Sequence, residues 1–369
     1  MNQRSENPFT ERAAHSRLGG RLLIATAVLL SCWLSLGARQ ALAADAPLVL
    51  ENSMAIPGVP VGPYSDVVSV DLDGGRLFAT PQAAKAVAVL DLKDGHVLKM
   101  ITGFGKLHGV FYSRTLKRLF VSDGANGDVK VFNGEDYALI KTIRVAVGAD
   151  TLAYDPHSQL IYVGNGGEDA GMDHAVVSVL DPVRMEKTAD ISIEATDLEG
   201  IAVDPEKQLL YVSLVNNSAV GVVDLRKRQQ VATWKLPAGN HFPFALVVDA
   251  AHERLYVTCR DDLTGFGIRG IFFALDTNGG RVLKTLPIGG WADGISLDKK
   301  RQRIYISTGV GRVETYAIEA KDVYRRLADV ETPLIAKHSL YLSEPDRLYV
   351  NVPHLADTQA QVLVFKPSP

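Results

Sequence analysis

"EGIAVDPEKQLLYVS" (199–213) opens on a carboxylate and a glycine, runs apolar, turns, and runs apolar again. Ninety-four residues later "DGISLDKKRQRIYIS" (293–307) repeats the phrase. The closing strand of each belongs to a set of seven: "RLFAT" (76–80), "RLFVS" (118–122), "LIYVG" (160–164), "LLYVS" (209–213), "RLYVT" (254–258), "RIYIS" (303–307) and "RLYVN" (347–351). Counted at the second residue, their spacings are 42, 42, 49, 45, 49 and 44. Periods of that size with strand-like content indicate one propeller blade per repeat rather than a helical solenoid.

Each unit reads as four strands. In the second these are "GVFYS" (109–113), "RLFVSD" (118–123), "DVKVFN" (128–133) and "ALIKTIRV" (138–145). Period-two alternation, β-branched and aromatic residues, and Asn-Gly or Asp-Gly turns support the assignment. Only "EAKDVYRRLADV" (319–330) approaches a helical period, enough for a turn or two of helix. The seventh unit offers strands near 338–343, 347–352 and 361–366 and lacks an outer one, while "LVLENSMAIPG" (48–58) is similar to the outer strand and exit "RVLKTLPIGG" (281–290). The expectation is an all-β, seven-bladed propeller closed by the mature N-terminal strand, which completes the last blade and removes an open edge.

At 47% hydrophobic and 22% charged, the 369-residue chain can bury a large core. Its first 43 residues have a different character. An Arg-bearing polar stretch (1–21) precedes the short apolar run "LLIATAVLLSCWLSLG" (22–37), and "ALA" (41–43) supplies a small–x–small cleavage pattern. This predicts a signal peptide cut after Ala43, periplasmic or secreted destination, and a single domain over 44–369. Although "LLSC" (29–32) touches a lipoprotein pattern, the apolar run continues past Cys32, so cleavage without acylation is expected. Removing residues 1–43 leaves 34 basic and 40 acidic residues, a net charge of −6, which argues against nucleic acid or anionic membrane as partner. Only Cys259 survives processing, so an internal disulfide is excluded, and it reads as a small buried hydrophobe.

The strands "LYVTC", "IYVGN" and "LYVSL", each followed after a turn by a phrase such as "AVAVLD" (86–91), "VVSVLD" (176–181) or "AVGVVD" (219–224), resemble the YVTN-repeat β-propeller family over residues 47–366. The resemblance implies the fold and a bacterial exported protein, and says little of function.

In such propellers the first strand of each blade lines a central channel. Aligned on Asp71, Ser113, Asp155, Asp204, Asp249, Asp298 and Ser343, the seven first strands place Asp66, His108, Asp150, Glu199, Phe244, Asp293 and His338 at one level, five residues upstream. Six of the seven are ionisable. Carboxylates converging there would repel one another unless relieved by water, protons, histidines or a cation. Asp66, His108, Asp150, Glu199, Asp293 and His338 are therefore candidate ligands of a divalent metal, Ca²⁺, Zn²⁺ or Mn²⁺. A structural alternative stands beside this, in which the same side chains bond backbone and ordered water to seal the channel. The openings Glu199-Gly200 and Asp293-Gly294-Ile295 are similar to those of gluconolactonase/regucalcin-type propellers, where such acids bind a catalytic metal. Those have six blades and a pair of channel asparagines that finds no match here.

Two residues before this level stand Tyr64, Lys106, Gly148, Asp197, Phe242, Trp291 and Ala336; Tyr64, Phe242 and Trp291 are the candidate aromatic frame of a small-molecule pocket. Long loops at 164–175 (with Glu168, Asp169, Asp173 and His174), 259–270 and 352–361 share that face. "GFGIRG" (265–270) matches a dinucleotide fingerprint by letter only, because a strand follows it. No catalytic signature names a nucleophile. These features predict an exported, monomeric binding or scaffold propeller whose loop-rich face takes a partner protein or small ligand. The alternative is a metal-dependent hydrolase of lactonase or esterase type using the channel-mouth ring.

Overall fold

The seven repeats fold into seven antiparallel sheets, six of four strands and one of five. The structure is a computed structural model that describes residues 46–369, apart from 240, 262–266 and the side chain of Asp169. The signal-peptide expectation for residues 1–43 lies outside the described residues. The innermost strands are Val68–Asp71, Leu107–Ser113, Ala149–Asp155, Leu198–Asp204, Phe242–Asp249, Ala292–Asp298 and His338–Leu342, in blades 1 to 7. Each contacts the next in order, and the seventh contacts the first, so the ring is closed. Blade 7 takes its outer strand from Leu48–Ala55, which pairs antiparallel with Gln361–Pro367.

The repeated five-letter phrase explains the closure. Its second and third residues point to opposite faces of a strand, and each face meets a different neighbour. The aromatic third residue packs into the same core cluster as the aliphatic second residue of the following blade. Phe78 meets Leu119, Phe120 meets Ile161, Tyr162 meets Leu210 and Tyr211 meets Leu255. Tyr256 meets Ile304, Tyr305 meets Leu348, and Tyr349 returns to Leu77 of blade 1. Every one of these side chains is at most 2% exposed. Seven clusters thus fill seven interfaces between blades.

The fifth residue of the phrase adds a polar tie. Ser213 Oγ donates to the Phe244 carbonyl of the next blade at 2.9 Å, Thr258 Oγ1 to Ala292 O at 2.6 Å and Asn351 Nδ2 to Asp66 O at 2.7 Å. Ser122 reaches Asp150 O, and Ser307 bonds Ser339 Oγ at 2.6 Å. Thr80 bonds Val67 O of its own blade at 2.7 Å. Blade 3 has Gly164 here, where a Cβ would strike Leu198 Cδ1 at 2.5 Å.

One expectation is corrected. Residues 319–330 hold no helix: Val323–Arg326 runs back along Arg312–Ala320 as the outer strand of blade 6, with Asp322 turning the chain at φ 63°. Pairing to a waiting sheet edge overrides the weak helical period. The described residues contain four short 3-10 turns and no α-helix, hence no helix long and apolar enough to cross a membrane.

Gly200 owes its identity to the interface, because a Cβ there would lie 2.0 Å from the Phe244 carbonyl oxygen. Gly200→Ala is therefore expected to cost about 1–3 kcal/mol by forcing two blades apart. Gly279→Ala, in open space, should stay within about 0.5 kcal/mol. Urea unfolding of the two variants measures the difference.

Candidate functional site

The ladder between the first and second strands breaks at one level in five blades: between Leu107 and Val110, Ala149 and Leu152, Leu198 and Ile201, Pro243 and Leu246, and Ala292 and Gly294. Irregularities of this kind re-aim side chains. His108, Asp150, Glu199, Phe244 and Asp293 sit inside them. With Asp66 and His338 they line one cavity of about 580 Å³ at the mouth of the channel. The bond from the fifth residue of the preceding blade's phrase holds this level in place, gripping Asp66, Asp150 and Phe244 directly by their carbonyls.

The ring divides into two halves. On blades 1 to 3, His108 Nδ1 lies 3.1 Å from Asp66 Oδ2 and 3.2 Å from Asp150 Oδ2. Gln82 Nε2 donates to Asp66 Oδ2 at 2.9 Å and lies 3.1 Å from the same ring nitrogen. Burial disfavours the imidazolium, yet Asp150 and Asp66 overcome it and raise His108 to about 9. Burial pushes Asp150 up to about 6 against the opposing pull of His108. Asp66, also buried, is held below the usual carboxylate range by His338 and His108.

On blades 5 to 7 the dominant groups are two cations. Arg260 Nε donates to Asp293 Oδ1 at 3.0 Å; its Nη2 and the Lys337 Nζ both donate to Asp293 Oδ2. Burial opposes the Asp293 charge, and Lys337 and Arg260 hold it ionised well below its ordinary range. The Arg260 guanidinium also lies 3.5 Å from the centre of the Phe244 ring. His338 Nε2 sits 3.8 Å from both Asp66 Oδ1 and Asp293 Oδ2, and burial lowers its basicity. Between the halves stands Glu199. Among the described residues its carboxyl has no ion pair within 4 Å, and burial, then Asp150 and Asp197, push it well above its usual range.

Of the candidate aromatics, Tyr64 lines the cavity. Trp291 stands beside it, 5.2 Å from Arg260 and 5.3 Å from Lys337. Phe242 pairs with Arg260 at the start of its strand and lies outside the lining, where Phe244 takes its place. In the long acidic loop Asp173 and His174 bond each other at 2.8 Å and are exposed, and Asp169 is a residue whose side chain lies outside those described. Cys259 is fully buried.

The cations Arg260 and Lys337, and Gln82 with them, went unanticipated. Their signals exist in the repeat. Gln82 and Arg260 both occupy the seventh position of the phrase ("RLFATPQ", "RLYVTCR"), where four of the other blades carry Gly or Pro. Lys337 precedes the ring level, where the other blades place Ser, Leu, Ala or Pro.

No family model matches the chain. Two curated relatives, the uncharacterized protein YncE of Salmonella typhi and its counterpart in Salmonella typhimurium, are 29% and 28% identical over 96 residues. That similarity spans 26% of this chain and 27% of each relative, about a quarter of their length. Among solved structures, a chain of Kuenenia stuttgartiensis hydrazine synthase superposes with a TM-score of 0.70 at 18% identity, over 85% of this chain and 99% of that one. A chain of a mitotic checkpoint complex does so with a TM-score of 0.67 at 13% identity, over 88% and 95%. At these identities the likeness concerns the fold.

Two substitutions test the electrostatics. Asp293→Asn leaves Arg260 and Lys337 buried without their anion and should cost about 3–5 kcal/mol. Glu199→Gln removes a carboxyl whose raised pKa makes wild-type stability fall as pH rises above its unfolded value near 4.5. The Gln variant should therefore gain on wild type as pH increases, which denaturant titrations at pH 5 and pH 8 would measure.

Proposed function

We propose that this chain is an exported binding propeller that takes a small, polar, charged organic molecule into the mouth of its channel. One observation carries the reading: all seven blades contribute to a single cavity whose basic side, Arg260 and Lys337, faces an acidic side, Asp150 and Glu199. Tyr64, half exposed, stands at its rim. Binding sites combine an enclosing wall with a few fixed polar groups of this kind. The fold suits the role, since a closed ring presents its loops and strand openings on a rigid scaffold. The targeting pattern of residues 1–43 supports export.

A second reading, a metal-dependent hydrolase, is supported by Glu199, which has no ion pair within 4 Å among the described residues and would serve there as general base for water. It requires a metal at the ring, and its test is hydrolysis of lactones and simple esters by the metal-loaded protein.

The binding reading is tested by calorimetry and thermal shift, with zwitterionic amino acids, hydroxy acids and uronic acids as probes. At least one class is expected to bind and to raise the melting temperature. Lys337→Met and Glu199→Gln should each weaken that binding by about tenfold or more, 1.4 kcal/mol. Failure of every class to bind wild type, or binding indifferent to both substitutions, overturns the reading.

A further inference from the structure

We propose that Asp66, His108 and Asp150, with Gln82 as fourth donor, form a binding site for one divalent transition-metal ion on the blade 1–3 side of the channel mouth. The site does not depend on the organic-ligand reading, and it confines the metal to half of the ring.

The first argument is spacing. One donor atom from each of Asp66, His108 and Asp150 lies within 4.8 Å of the others. The imidazole nitrogen is 3.1 Å from one carboxylate oxygen and 3.2 Å from the other. Donors each about 2.0–2.2 Å from a metal lie roughly 3.0–3.5 Å from one another, the edge of an octahedron or tetrahedron. The contacts have the length of coordination-sphere edges.

The second argument is that protons alone leave the cluster in conflict. His108 Nδ1 faces two carboxylates and the Gln82 amide together, and it can carry only one hydrogen. With that hydrogen present, Gln82 Nε2 at 3.1 Å sets one donor against another. Turning the amide over brings Oε1 to the imidazole but sets it against Asp66 Oδ2, now acceptor against acceptor at 2.9 Å. Removing the hydrogen points the nitrogen lone pair at both carboxylates. With both carboxylates ionised, every arrangement sets at least one donor against a donor or one acceptor against an acceptor. A cation at the centre reverses all of them: the deprotonated nitrogen, two carboxylate oxygens and the amide oxygen would each direct a lone pair at it.

The donor set also selects the ion. Imidazole with carboxylates suits Zn²⁺, Mn²⁺ or Fe²⁺, whereas Ca²⁺ takes six to eight oxygens. The other half of the ring is closed to metal by Arg260 and Lys337, which already neutralise Asp293. The frame is rigid as well. Asn351 holds the Asp66 carbonyl, and Ser122 bonds both Gly109 N, next to the histidine, and Asp150 O. Asp150, its side chain a quarter exposed, faces the cavity and would leave the ion open to it.

The purified chain, stripped with chelator and dialysed, would be titrated separately with Zn²⁺, Mn²⁺ and Ca²⁺ by calorimetry, and with Co²⁺ by visible absorption. The proposal expects one equivalent of Zn²⁺ or Mn²⁺, both tighter than Ca²⁺, and a Co²⁺ spectrum that includes nitrogen ligation. His108→Ala and Asp150→Asn should each weaken binding at least tenfold, while Glu199→Gln should leave it unchanged. Circular dichroism melting checks that each variant is folded, and Asp150→Asn, which keeps side-chain shape, carries the test if His108→Ala is not. Three results overturn the site: no Zn²⁺ or Mn²⁺ binding tighter than millimolar, binding that survives the folded ligand variants, or binding lost equally with Glu199→Gln.

Discussion

No blade of this protein can bury its own strand phrase. The aromatic of each, from Phe78 to Tyr349, is covered by the aliphatic residue of the next blade, and the last is covered by Leu77 of the first. An open array would leave an aromatic face at one end and an aliphatic face at the other, so the hydrophobic effect itself requires a circle. The seventh sheet takes its fourth, outer strand from Leu48–Ala55, which precedes the first blade in the chain. Burying one aromatic or aliphatic side chain stabilises by about 1.5–3 kcal/mol, and here fourteen such residues are shared between neighbours. Closure is the condition on which each sheet depends.

The mouth of the channel inherits its order from that same phrase. In five blades its fifth residue, the hydroxyl or amide that follows the apolar letters, reaches out of the core to hold the next blade where its first strand begins. The glycines at 109, 200 and 294 permit the approach: a Cβ would lie 2.6 Å from Asp150 O, 2.0 Å from Phe244 O and 2.7 Å from Ser339 N respectively. This accounts for a strand that opens on Glu199-Gly200. The glutamate side chain faces the cavity from a break in the ladder, and the glycine lets the neighbouring carbonyl pack against its back.

Much of this was legible in the sequence, for a physical reason. Strand periodicity and a fixed repeat length determine which residues share a level, so Asp66, His108, Asp150, Glu199, Phe244, Asp293 and His338 could be aligned without coordinates. Charge balance could not. Arg260 and Lys337 reach Asp293 from a different strand end and from the residue just outside the aligned level, and long flexible side chains cross registers that alignment keeps apart. The ring therefore read as an excess of acid, while the folded mouth pairs most of it. The segment 319–330 was misjudged for a related reason: its pattern is local, whereas its strand pairing is decided by the edge of blade 6.

A buried set of charges at a channel mouth has two physical accounts. It can be a seal, in which side chains and water satisfy one another, or a preorganised site, in which they wait for a solute. The opposed acidic and basic walls, and a Glu199 carboxyl with no ion pair within 4 Å among the described residues, favour the site. A high-resolution crystal structure of the protein, purified without chelator and grown with the ligand class that binds, tests this most directly. The account predicts density other than water spanning from Arg260 and Lys337 towards Glu199 and Asp150. Ordered waters alone, bonded to the ring and to strand backbone with the side chains unmoved, would contradict it.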